Sequence, residues 1–191
     1  MENQILHSIN RIIEQFQKNP YQFLFESDIQ CALFAELRKN IPEKFRIPSV
    51  TKEGLEYELE LVYSEYRNKI DLVCLDLQRI SFVNKQSHNG DDTYIYELPL
   101  LVGIELKYVI MGYLKVKDVI SVVHADYQKL LKLDDIQHRL AICFLQNDNG
   151  KKTTRFYESM QPSDSPQSVQ RIEKLDGKYV ISPLSGIWQL K

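Results

Sequence analysis

Little in this sequence points to a stapled, fibrous or membrane-spanning protein. It has only three cysteines, Cys31, Cys74 and Cys143, widely spaced in the apolar contexts QCALF, LVCLDL and AICFL. No CxxC pair opens a zinc site, and an odd set makes no disulfide framework. All three are expected to be small buried hydrophobes in a reducing, cytoplasmic setting. No apolar run approaches the ~18 residues that cross a bilayer. The opening MENQILHSINRIIEQF is amphipathic rather than signal-like, so no membrane partner is expected. Charge of one sign is also missing: 24 basic against 26 acidic side chains give −2. That balance neither demands nor excludes a polyanionic partner, because an enzyme of nucleic acids needs positive potential only along its cleft. Internal repeats and long low-complexity tracts are absent too.

What remains is a chain of 191 residues, 43% hydrophobic and 26% charged, the size and balance of one ordinary domain spanning 1–191. Ile5, Ile9, Ile12, Ile13 and Phe16 fall at helical spacing from about Glu2 to Lys18, and Asn19-Pro20 interrupts them. A second helix is expected from Ser27 to about Lys39, opened by a capping box in which Ser27 and Gln30 are the partners. From Leu55 the period becomes two, with Glu56, Glu58, Glu60 and Val62 on a wet face. Arg67-Asn68-Lys69 reads as a turn leading to a buried strand from Ile70 to Leu77, the two strands forming an antiparallel hairpin. Gln78 to Asp92 reads as a surface loop. A strand centred on LPLLVGIELKYVI follows, then a helix from Lys117 to Leu133 striped by Val119, Val123, Tyr127 and Leu130. The all-apolar RLAICFLQ fits a strand covered on both faces. Val180 to Leu190 reads as an edge strand with Trp188 as anchor. A mixed sheet covered by helices follows, an α/β or α+β sandwich, with its core at about 20–146 and a C-terminal extension over 147–191.

The informative residues are charges standing where the pattern calls for apolar side chains. Glu105 and Lys107 share one face of the strand GIELKY, opposite Leu100, Val102, Ile104 and Leu106. Buried charges are costly unless paired or put to use, so either a structural ion pair or a site is implied. Asp71 enters the apolar strand KIDLVCLDL, where it could also cap the preceding turn; Asp76 is its competitor. Glu26 stands at a helix start, where the helix dipole alone would favour it.

Taken in order, FESDIQCALFAEL, YRNKIDLVCLDL and LVGIELKYV, followed by a helix with ADYQKLLKL and the strand RLAICFL, resemble the PD-(D/E)XK nuclease superfamily. The likeness spans roughly Glu26 to Leu145, and Ile70 stands where the family name has its proline. The resemblance implies a restriction-endonuclease-like fold, a mixed β-sheet core flanked by helices. It also implies a Mg²⁺-dependent deoxyribonuclease, an endonuclease in restriction, defence or repair, with Mn²⁺ able to substitute. Asp71, Glu105 and the backbone carbonyl of Leu106 would hold the metal, Lys107 would orient and help deprotonate the attacking water or stabilise developing negative charge, and Glu26 would be an accessory acid. Arg67, Lys69, Gln128 and Lys129 would contact phosphates, alongside Lys115, Lys117, Lys151, Lys152 and Arg155; a solvated helix face is the alternative for Gln128 and Lys129. DNA is the expected partner, with RNA open and a homodimer suited to cutting two strands. The alternatives are a catalytically inactive nuclease-fold module for DNA binding or protein assembly, or an unrelated α/β protein with a coincidental E-x-K.

Overall fold

The computed structural model describes residues 1–67, 69–83, 92–110, 116–146 and 166–184. Helix α1 (Glu2–Lys18) follows the sequence periodicity, and its isoleucines and Phe16 are buried. Helix α2 (Glu26–Asn40) begins one residue before the sequence expectation. Asp28 then falls at N3 and its Oδ2 accepts from the backbone N–H groups of Leu24 and Phe25, both at 2.9 Å. The expected Ser27–Gln30 capping box is thereby replaced, and Gln30 is released for a contact elsewhere.

Two strands, β1 (Lys44–Pro48) and β2 (Glu56–Glu60), pair antiparallel as a separate ribbon. The single strand expected from Leu55 is in fact divided at Leu61. Leu61 and Val62 are both buried in succession, so Val62 leaves the wet face and the chain rotates into the main sheet. That sheet contains β3 (Val62–Tyr66), β4 (Ile70–Leu75), β5 (Leu100–Ile110), β6 (Ile136–Gln146), β7 (Gln167–Ser168) and β8 (Gly177–Ile181). Its order is β3-β4-β5-β6-β8-β7, antiparallel across β3, β4 and β5 and parallel from β5 onward. The hairpin expected around Arg67 and Lys69 forms, but its first strand is Val62–Tyr66, while Glu56–Glu60 pairs with β1 instead. Helix α3 (Leu77–Val83) occupies part of the expected loop, opened by Asp76, whose Oδ1 accepts from Gln78 N at 3.0 Å and whose Oδ2 meets Arg79 at 2.7 Å. Asp76 thus has a helix-capping task.

Helices lie on both faces of the sheet. Leu140, Ile142 and Phe144 of β6 pack with the residues of α1 and α2, while Ala141, Cys143 and Leu145 pack under α4 (Val116–Leu131) through Val119 and Val123. An all-apolar strand covered twice is the physical consequence of that alternation. The core reaches beyond 20–146 at both ends: α1 supplies Ile5 to Phe16, and β8 lies between β6 and β7 rather than at an edge. Cys74 and Cys143 are buried, whereas Cys31 is exposed on α2, against expectation. Among the described residues no helix is long and apolar enough to cross a membrane. Trp188, Asn68 and the cations at 115, 151, 152 and 155 lie outside the described residues, as does the side chain of Lys117.

Candidate active site

Strand β5 outruns its neighbour. The β4–β5 ladder has Leu72 opposite Ile104 as its last pair, so the next backbone amides of β5 on that side need other acceptors. Two carboxylates supply them: Asp71 Oδ2 accepts from Leu106 N at 2.7 Å, and Glu26 Oε2 accepts from Tyr108 N at 3.0 Å. Glu26 reaches this point because it is the first residue of α2. Its two oxygens also lie 3.3 and 3.2 Å from Lys107 Nζ, an ion pair between residues 81 apart in sequence.

Helix α4 closes the other side. Lys129 Nζ lies 2.6 Å from Glu105 Oε1 and donates to the carbonyl of Lys69 at 2.8 Å. Asp126, one turn earlier, stands 4.0 Å from Lys107 Nζ. Sequence reasoning passed over Asp126, although the signal was there: it follows Val119 and Val123 on the buried stripe and precedes Leu130, a carboxylate at an apolar position. Gln30, freed from capping, donates to the carbonyl of Asp71 and to Glu65 Oε1, each at 3.0 Å. No local pattern announces that role.

The remaining expected contacts separate. Arg67 is engaged by Asp135 and by the carbonyls of Tyr96 and Leu98 at 3.1 and 3.3 Å, so its guanidinium holds the β3–β4 turn. Lys69 is exposed on that turn, and Gln128 is exposed on α4.

The electrostatics follow from burial. Glu105 is only 5% exposed, and burial pushes its carboxyl up to about 7; the Lys129 ammonium pulls it back, while the Asp71 charge pushes it further. Asp71 is raised by burial too, against the pull of the Leu106 N–H and with an upward push from Glu26. Asp126 is likewise raised by burial, opposed by Lys107 and Lys129. For Lys107 burial alone would lower the ammonium pKa, but Glu26 and Asp126 together outweigh it and the net direction is up. The carboxylates on either side thus favour the charged form of Lys107.

Burial raises all three carboxyls, and the Asp71 charge on Glu105 and the Glu26 charge on Asp71 and Asp126 add to it, so added positive charge is favourable here. Glu105 Oε1 is a buried oxygen whose near neighbour among the described residues is the Lys129 ammonium, at 2.6 Å. Among the described residues no group of three or more His, Cys, Asp or Glu side chains is arranged around a metal position. Mg²⁺ asks for less: one or two carboxylates, with water and substrate oxygens filling an octahedron. The pair Asp71 and Glu105 fits that requirement. Comparison of the chain with family models, curated proteins and solved structures finds no match.

Proposed function

We propose that this chain is a metal-dependent nuclease of the PD-(D/E)XK kind that hydrolyses DNA phosphodiester bonds, an endonuclease of restriction, defence or repair. The observation that carries the reading is the meeting of Glu26, Asp71, Glu105 and Lys107 where β5 outruns β4. Asp71 and Glu105, with the Leu106 carbonyl, would hold Mg²⁺ or Mn²⁺. Such a cation, when bound, supplies positive charge to the phosphoryl and leaving oxygens and helps to activate a water. Lys107, held by Glu26 with Asp126 beside it, would orient the attacking water or contribute positive charge toward a phosphoryl oxygen. Glu26 fixes the ammonium and, through the Tyr108 amide, the end of β5. Lys129 balances Glu105 and gives a second cation for a phosphate. Cutting both strands of a duplex calls for two such sites, so a homodimer belongs to the reading, and RNA is a second substrate to assay. A cytoplasmic location belongs to it as well, supported by the free thiols of Cys74 and Cys143, which burial pushes up to about 12.

One observation favours a second reading, a nuclease-fold module that binds without turnover. Glu26, Asp71 and Glu105 each have an internal partner, Lys107, the Leu106 amide and Lys129 respectively, a set able to hold the sheet end without a cation. Incubation of plasmid, linear DNA and RNA with Mg²⁺ or Mn²⁺ separates the two. Wild type should cut, and Asp71→Ala and Lys107→Ala should each lose at least about a hundredfold in rate, as removal of a group acting on the transition state does. Calorimetry should show Mn²⁺ binding that Asp71→Ala and Glu105→Ala abolish. Equal cutting by wild type and variants would end the catalytic assignment; salt-dependent binding with no cutting would establish the module.

A further inference from the structure

Lys129 is held much as a bound cation is held. Its Nζ lies 2.6 Å from Glu105 Oε1 and donates to the Lys69 carbonyl at 2.8 Å. One oxygen comes from β5 and the other from the β3–β4 turn, a carboxylate and a backbone carbonyl. Those are the hard oxygen donors that divalent cations such as Mg²⁺ and Mn²⁺ also take. Glu105 is buried, and a buried carboxylate with no positive charge beside it is costly, so the contact is the favourable one in the cation-free chain. The side chain of Lys129 is itself 35% exposed, so the ammonium reaches in from the surface on a flexible four-carbon stem.

The backbone beneath that stem is anchored. Leu130 and Val123 of α4 are buried, and Leu130 Cδ2 would stand 3.2 Å from a Cβ on Gly103. Leaving Glu105 therefore asks only for rotation about side-chain bonds of Lys129, with the helix in place. The other lysine of the cluster is held differently, because Lys107 pairs with Glu26 at 3.2 Å and with Asp126 at 4.0 Å. Of the two, Lys129 is the one whose ammonium rests on a carboxylate assigned to the metal. An ammonium and a divalent cation on one buried carboxylate repel each other, most strongly where little water screens them.

We infer that Lys129 is a tethered competitor for the divalent cation: its ammonium fills the cation's place on Glu105 in the empty site and withdraws when a divalent cation binds there. The inference rests on the proposed metal site, but the exchange itself needs no nucleic acid and no turnover. It gives the chain a threshold, since the site fills only at a cation concentration high enough to overcome the ammonium. The charge released in this way stays on α4 beside the site, where it can meet a phosphate.

The test is Mn²⁺ calorimetry on the full chain without nucleic acid, comparing wild type with Lys129→Met, whose folding circular dichroism melts check. An ammonium that holds Glu105 in about nine molecules of ten weakens cation binding about tenfold, so the variant should bind Mn²⁺ about tenfold more tightly. Repulsion without withdrawal would also tighten binding, and a second measurement, which needs no variant, separates the two. Wild-type lysines are acetylated with acetic anhydride and read by peptide mass spectrometry, with and without saturating Mn²⁺. Lys129 should label several-fold faster with the cation, while Lys132, exposed just past α4, should label at one rate throughout. Equal or weaker Mn²⁺ binding by folded Lys129→Met overturns the inference. So does Lys129 labelling that Mn²⁺ leaves unchanged, which would keep the ammonium in place and put the cation on the other oxygen of Glu105. Tighter binding and faster labelling without cleavage of any nucleic acid would keep the exchange and remove the nuclease reading; cleavage with neither would do the reverse. No Mn²⁺ binding by either protein would remove both.

Discussion

Glu105 is the residue whose setting departs furthest from that of a surface carboxylate. Its carboxyl titrates near 7 in the folded chain against an ordinary 4.5, chiefly because burial penalises the charge. Between those values the native state holds a proton that the unfolded chain has released. Stability therefore falls as pH rises from about 4.5 through about 7, and stays lower above that. In the absence of divalent cation, Glu105→Gln should remove that decline and make the protein more stable at pH 8 by on the order of 2 kcal/mol. Urea unfolding at pH 5 and pH 8 measures this; parallel curves for wild type and variant would mean that Glu105 behaves as an ordinary acid. Glu105 and Lys107 were legible in the sequence because a charge inside an apolar period is visible locally. Asp126 carried the same signal on α4 and was hidden by its neighbours, since Gln128 and Lys129 give the helix a plausible wet face. Gln30 carried none, because its partner Asp71 is 41 residues away and the local Ser27 offered a nearer explanation.

At the scale of elements, two features place α4 over the site. Gly103 on β5 leaves room for the helix: a Cβ there would stand 3.1 Å from Ile136 Cδ1 and 3.2 Å from Leu130 Cδ2. Leu130 can thus seat directly on the strand, which brings Lys129 over Glu105. Gly103→Val should cost about 1–3 kcal/mol through overpacking, a fall of a few degrees in Tm, and should reduce cleavage by displacing Lys129 and Asp126. Differential scanning calorimetry beside the plasmid assay checks both; a lowered Tm with unaltered rate would mean that the position of α4 does not matter to catalysis. The second feature is the β3–β4 turn, where Glu65, Arg67 and Lys69 hold positive φ values of 52°, 31° and 59°. Non-glycine residues there store strain of order 1–3 kcal/mol. The Arg67–Asp135 pair and the Lys129 bond to the Lys69 carbonyl secure the turn, which adjoins Asp71. Helices α1 and α2 and strands β4 and β6 were readable from periodicity. The β1–β2 ribbon was not, since an alternating stretch says that a strand exists and leaves open which sheet it joins.

For the molecule as a whole, Phe16 ties the layers together. Its ring, fully buried on α1, meets Phe144 of β6 at 5.1 Å and both Phe23 and Tyr108 at 6.4 Å. The last two belong to the loop before Glu26 and to the strand bearing Lys107. Phe16→Ala should cost about 3–5 kcal/mol and slow cleavage in the plasmid assay by loosening the strand that bears Lys107, with Phe16→Leu recovering most of the stability. Thermal melts and the plasmid assay on folded samples test it; a stability loss with cleavage unaltered would confine Phe16 to the core. The sequence by itself determined the kinds of element and the residues at odds with them, because periods of 3.6 and 2 and the charges that break them lie within a few neighbouring positions. Only the tertiary structure decided which charges meet. The overhang of β5 past β4, the reach of Glu26 to Lys107 across 81 residues and the seating of α4 on Gly103 depend on strand register and helix docking. Those are set by packing between distant segments, and no single window of residues contains them.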